Sequence, residues 1–124
     1  MSIGLTAQTF IPYVEEAMTP INDAVPGPAT TTMIVDVPCI HARRIDVVIN
    51  SAAALGAVDL VFSCASGALT YVVNLGAVGA GVTVPLTYTA TAGVATEAVG
   101  DFYAVRVTNA GAATTATIWT AARS

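Results

Sequence analysis

An all-β fold, a two-sheet antiparallel β-sandwich of jelly-roll or immunoglobulin-like type behind an extended N-terminal arm, is what three features of this 124-residue sequence predict. From Thr30 onward apolar residues recur with a period of two. Turn-forming residues punctuate that pattern at intervals of roughly 8 to 12 residues. No segment has the length and 3.6-residue periodicity of a helix that could pack across a sheet. About eight strands fit into residues 30–124, the number such a sandwich uses.

Residues 1–29 differ from the rest and are read as the arm, with residues 30–124 as the sandwich domain. Pro12, Pro20, Pro26 and Pro28 fall in the arm, and Tyr13 to Met18 leaves room for no more than a turn or two of helix, which is marginal alone. Pro26-Gly27-Pro28 then breaks regular structure. Thr31 to Val37 is the first predicted strand, with Met33, Val35 and Val37 on one face and Pro38 as its stop. In Arg44 to Ser51, Ile45, Val47 and Ile49 point inward while Arg44, Asp46 and Asn50 point outward. Ala57 to Cys64 places Val58, Leu60, Phe62 and Cys64 on one face, with Asp59 and Ser63 turned away.

After Ser66-Gly67, Leu69 to Leu75 aligns Leu69, Tyr71, Val73 and Leu75, and Gly76 to Gly81 links it to the next strand. Val82 to Thr89 aligns Val82, Val84, Leu86 and Tyr88. Pro85 within it cannot donate a ladder hydrogen bond, so this strand is expected at a sheet edge. Gly93 to Val99 is a weak strand of small residues. Phe102 to Thr108 sets Tyr103, Val105 and Val107 against Phe102, Ala104 and Arg106. Ala113 to Ala121 closes the chain, Ala116 and Ile118 opposing Thr115, Thr117 and Trp119.

Composition narrows the function. Hydrophobic residues make up 55% of the chain and charged residues 10%, against roughly a quarter charged in an ordinary soluble domain, so something is expected to cover the surface. Mean hydropathy is high at +0.73, yet polar and turn residues interrupt every apolar stretch well short of the ~20 residues a spanning helix needs. Four Tyr, three Phe and one Trp are thin material for the aromatic girdles of a membrane barrel. The start of the chain lacks the basic region and apolar run of a secretory signal. Four Arg, no Lys and a net charge of −4 argue against nucleic acid as a partner.

Chemistry-bearing residues are few. His41 is the sole histidine, and with Cys39 it offers two metal ligands where a structural zinc needs four, so neither a metal nor another cofactor is expected. Cys39 and Cys64 read as reduced, packed thiols. Without a second imidazole or a lysine there is no base for a nucleophile, and no enzymatic activity is expected. Gly76, Gly79 and Gly81 imitate a phosphate loop but lie between strand patterns with no helix after them. Trp119 with Tyr103 or Tyr88 is a candidate sugar-stacking platform, weighed against a core or interface role for the tryptophan.

The strand Arg44-Ile45-Asp46-Val47-Val48-Ile49, the strand Val58-Asp59-Leu60-Val61-Phe62, the stretch from Phe102 to Gly111 and the Thr/Ala-rich closing strand together carry a resemblance. In texture and strand order this resembles the small β-sandwich virion proteins of tailed bacteriophages, in particular head decoration or cement proteins. The resemblance implies a virion structural protein assembled in the host cytoplasm. Its partners would be copies of itself, trimers among them, and the major capsid protein or another virion protein. The arm would clasp neighbours through Phe10, Ile11, Tyr13, Val14, Met18 and Ile21. Alternatives are a carbohydrate-binding or adhesin module, a tail or baseplate component, and a self-polymerising surface subunit.

Overall fold

The computed structural model describes residues 16–17, 19–65, 67–91 and 99–124. Among the described residues nine strands run in chain order: β1 (Glu16–Ala17), β2 (Ile21–Val25), β3 (Ala29–Pro38), β4 (Arg44–Ser51), β5 (Leu55–Cys64), β6 (Leu69–Val78), β7 (Thr83–Thr89), β8 (Phe102–Asn109) and β9 (Thr114–Arg123). β1 and β2 both pair with β9 and occupy one lane, so each of two sheets is four lanes wide. The first has the order β1/β2, β9, β4, β7 and the second β3, β8, β5, β6, all antiparallel.

The pairings are nested: β2 with β9, β3 with β8, β4 with β7 and β5 with β6. A long hairpin rolled over so that consecutive strands alternate between sheets gives this order, the winding of a jelly roll. Between the two jelly-roll and immunoglobulin-like expectations, the topology selects the first.

The core follows from alternation. Ile45, Val47 and Ile49 of β4 and Ile118 of β9 are fully buried, facing Val58, Leu60 and Phe62 of β5 and Val105 and Val107 of β8. Phe62 lies at its aromatic end, stacked on Tyr71 at 5.1 Å and tilted against Tyr88 at 5.6 Å and Tyr103 at 6.2 Å. Tyr88 belongs to the first sheet and the other three rings to the second, so this cluster joins the layers. The buried Tyr103 hydroxyl shares a 2.7 Å hydrogen bond with Thr120 Oγ1, whose own hydroxyl donates to the Asp46 carbonyl at 2.7 Å. A polar chain thereby crosses between the sheets with its groups satisfied.

The structure departs from the sequence reading in three places. In β3, Ile34 and Val37 are buried while Val35 is 61% exposed, because register shifts between Thr32 and Ile34 and between Ile34 and Val37 reverse the expected phase. Asp36, with φ of 55°, sits at the second of these bulges. Glu16–Ala17, where a helical turn was allowed, pair as strand with Ala122 and Ala121. Residues 21–25, inside the segment read as the arm, line β9 from Ile118 to Thr114, and Val25 is fully buried. The weak strand expected over Gly93 to Val99 lies outside the described residues except for Val99, which packs half-buried on the core.

Two glycines are required by close approach. A side chain at Gly27 would run into the Gly111 carbonyl and the Asn109 amide, which itself donates to Ala112 O at 2.9 Å and fastens the turn before β9. A Cβ at Gly100 would come 2.7 Å from Ser63 O and 3.3 Å from Phe62 Cβ.

Phe62→Ala is expected to lower unfolding stability by about 3–5 kcal/mol, since it removes a buried ring that makes an aromatic contact between the layers. Urea denaturation at neutral pH measures this, and a change below about 1 kcal/mol would show that the ring cluster does not hold the layers together.

Candidate assembly surface

Cys39 and Cys64 lie near one another around Gly100 and Asp101. Cys39 is buried, its thiol donating to Gly100 O at 3.2 Å, whereas His41 is exposed with φ of 70°. Cys64 is half-buried and both cysteines are free thiols. Among the described residues no group of three or more His, Cys, Asp or Glu could hold a metal ion. An open hollow of about 360 Å³ is lined, among the described residues, by Asp36, Ser63, Gly67 and Phe102, which bring one carboxylate and one hydroxyl. The sugar platform does not form. Trp119 is on the solvent face of the first sheet under the Arg123 guanidinium, 5.8 Å from its ring centre, while Tyr103 and Tyr88 face inward against Phe62.

Charges on the solvent faces are gathered at two carboxylates. On the first sheet Asp46 accepts from Arg44 at 3.1 Å, from Arg123 Nε at 3.1 Å and from Thr87 Oγ1 at 3.0 Å. On the second, Asp59 accepts from Asn74 Nδ2 at 2.8 Å and from Arg106 at 3.2 Å. Although Asp59 points outward as its alternation requires, these neighbours leave it only 8% exposed.

Beside the Asp59 row, the second sheet carries an apolar one. Register places Ala104 of β8 opposite Val61 of β5, and Val61 opposite Val72 of β6. Val35 of β3 lies between the partners of Val105 and Tyr103, so it extends the same row. Val35 and Val72 are 61% and 49% exposed. A line of four apolar side chains thus crosses every strand of this sheet on its solvent side. The sequence reading missed this row, although it left a trace: Leu60-Val61-Phe62 and Tyr71-Val72-Val73 are apolar on consecutive positions, hence on both faces of the strand.

The four lateral edges are not alike. Pro20 separates β1 from β2, whose exposed Asp23 lies on that border. β3 carries its two bulges. β7 contains Pro85, and its register with β4 runs through Pro85 without a break, so the nitrogen that lacks a hydrogen faces the open side. β7 thus occupies the edge its proline predicted. β6 has a single register irregularity on its own strand, at Leu75 beside Gly76. From Leu69 to Asn74 it pairs with β5 in unbroken register, and it holds no charge and no proline.

Of the arm anchors read from the sequence, Phe10, Ile11, Tyr13, Val14 and Met18 lie outside the described residues. Ile21 lies opposite Ile118 in the β2–β9 ladder and packs half-buried against the core.

Burial pushes the Cys39 thiol up from 9.0 to about 12, with nearby Asp101 and Cys64 adding to the effect. Burial likewise raises the Tyr71 hydroxyl from 10.0 to about 12, aided by Tyr88, Cys64 and Cys39. Both groups hold their protons longer in the fold than in the unfolded chain. Their contribution to stability is therefore complete below about pH 9 and is lost as pH rises towards 12. Urea midpoints are expected to fall steadily across that window, and Cys39→Ala to flatten the part nearest pH 9. A midpoint constant through the window would contradict both assignments.

No protein-family model and no curated protein matches this chain. Among solved structures, a chain from Bacillus endospore appendages, described as a novel family of disulfide-linked pili, is similar at 17% identity, covering 90% of this chain and 87% of that one, with a TM-score of 0.47. A likeness at that level assigns neither family nor function, and none of these matches is a bacteriophage protein.

Proposed function

We propose that this chain is a structural subunit that works by packing against copies of itself in a larger assembly. The observation that carries this reading is the apolar row Val35–Ala104–Val61–Val72 on the solvent side, which ends at an edge strand with no charge and no proline, in unbroken register from Leu69 to Asn74. Soluble monomers rarely leave a sheet in that condition, because its open backbone donors and acceptors invite another strand. The whole stretch from Leu60 to Thr96 has no charged residue, so β6 and β7 form a flank without the repulsion that would keep copies apart.

Charge placement supports the same reading. Asp46 and Asp59 engage three of the four arginines on their own sheets, so salt bridges to a partner are not what the surface offers. The chemistry available is apolar contact and main-chain hydrogen bonding, the means by which β proteins join edge to edge. The N-terminal segment adds Phe10, Ile11, Tyr13 and Val14 ahead of β1 as further apolar anchors. A virion, where this body would decorate a capsid, is the setting the resemblance to phage proteins implies. A self-polymerising surface subunit uses the same contacts without a foreign particle.

Sedimentation and negative-stain microscopy of the full chain, alone and mixed with tailed-phage capsids lacking their decoration protein, test the proposal. Ordered assemblies of the chain alone are the result expected of a self-polymerising subunit, and capsid-bound copies that of a decoration protein. Removal of residues 1–15, which spares every described strand, is expected to weaken assembly at least tenfold while the body stays folded. A chain that remains a monomer at all concentrations and ignores the particles would overturn the proposal.

A further inference from the structure

The edge strand β6 is close to a palindrome in chemical class. Leu69-Thr70-Tyr71-Val72-Val73-Asn74-Leu75 reads apolar, polar, apolar, apolar, apolar, polar, apolar from either end, with Val72 at its centre. Two such strands laid antiparallel about a two-fold axis through Val72 match at every position. Val72 meets its own counterpart, Thr70 meets Asn74, Tyr71 meets Val73 and Leu69 meets Leu75. Moving the centre to Tyr71 or to Val73 sets Val72 against Thr70 or against Asn74, so only the Val72 register keeps polar with polar and apolar with apolar.

We propose that two copies of this chain join through β6, antiparallel and centred on Val72, to make one continuous sheet across the pair. The inference rests on the self-assembly reading above and assigns the surface. A second copy is the occupant because the edge is self-complementary, which is the defining requirement of a contact made by the same patch on both partners. The pairing also treats the two exposed features together. It satisfies the open backbone groups of β6, and it joins the row Val35–Ala104–Val61–Val72 to the same row of the other copy. Leu69, 70% exposed in the single chain, gains Leu75 of the second copy as its cross-strand neighbour. No like charges meet, since β6 has none.

The experiment turns on a property of the axis: only a residue lying on it is opposed by itself. Val72→Lys and Val72→Glu are prepared in the full chain, each checked for folding by circular dichroism and thermal melting. Val72 faces solvent and is half exposed, so both variants are expected to fold. Each alone places two like charges directly opposite one another and is expected to weaken dimerisation at least about tenfold by sedimentation equilibrium. Mixing the two in equal amounts places Lys opposite Glu and is expected to restore the dimer as a heterodimer.

Weakening by either variant with no recovery on mixing would overturn the two-fold register, as would pairing unchanged in both variants. If wild-type assemblies persist at full strength in the variants, the β6 contact is wrong while the self-assembly reading stands. If wild type and the mixed variants form dimers and nothing larger, the β6 contact is upheld and the larger assembly is not. Capture of the N-terminal segment by β6, shown by a monomer produced on deleting residues 1–15 and unaffected by Val72→Lys, would also overturn the proposal.

Discussion

Two sheets can share one core only if every strand keeps its alternate residues in phase with its neighbours, and this chain meets that constraint with small, β-branched side chains. Ile45, Val47 and Ile49 of β4, Val58 of β5 and Val105 and Val107 of β8 fill much of the space between layers with stiff, β-branched side chains, joined by Leu60. Phe62 and Tyr103 are the largest fully buried residues, so the spacing of the sheets at that end depends on their rings. A slip of one residue would turn Arg44, Asp46 and Asn50 of β4, or Arg106 of β8, towards the core. The nested pairing of the roll follows once that phase is fixed, because each strand has a single lane in which its apolar side is covered from both neighbours.

The same constraint explains which parts of the fold were legible in the sequence. β4 and β8 alternate cleanly between apolar and polar residues, and their inward sets were readable one by one. The proline in β7 announced an edge because a missing N–H has one tolerable direction. β3 misled because a bulge adds a residue without leaving a mark in composition: Thr31 to Val37 alternates best with Met33, Val35 and Val37 together, and only the pairing with β8 shows that Ile34 goes inside and Val35 outside. β2 was hidden by its own polar middle, Asn22-Asp23, and by the prolines on either side, although Val25 at its end is as buried as any residue in the core.

The candidate surface was less legible than the core. Reading alternation asks which face of a strand is apolar, and it assigns the apolar residues to the interior. Where a strand is apolar on both faces, as at Val61 and Val72, the outward residue is absorbed into the core count and its exposure goes unseen. The low charge of the chain was visible from composition, but not its arrangement. The Arg106–Asp59–Asn74 row lies directly beside the Ala104–Val61–Val72 row, so Asp59 draws Arg106 and Asn74 to itself and the apolar line is left uninterrupted.

The short strand β1 lies along the last residues of β9, Glu16 opposite Ala122 and Ala17 opposite Ala121. The polypeptide therefore enters and leaves the body side by side. A brief linker could splice these two points, and new ends could be opened at the exposed bend after β4, giving a permuted chain with an unchanged interior. For the same reason a guest peptide placed after β9 would leave the roll beside β1, at one corner of the body.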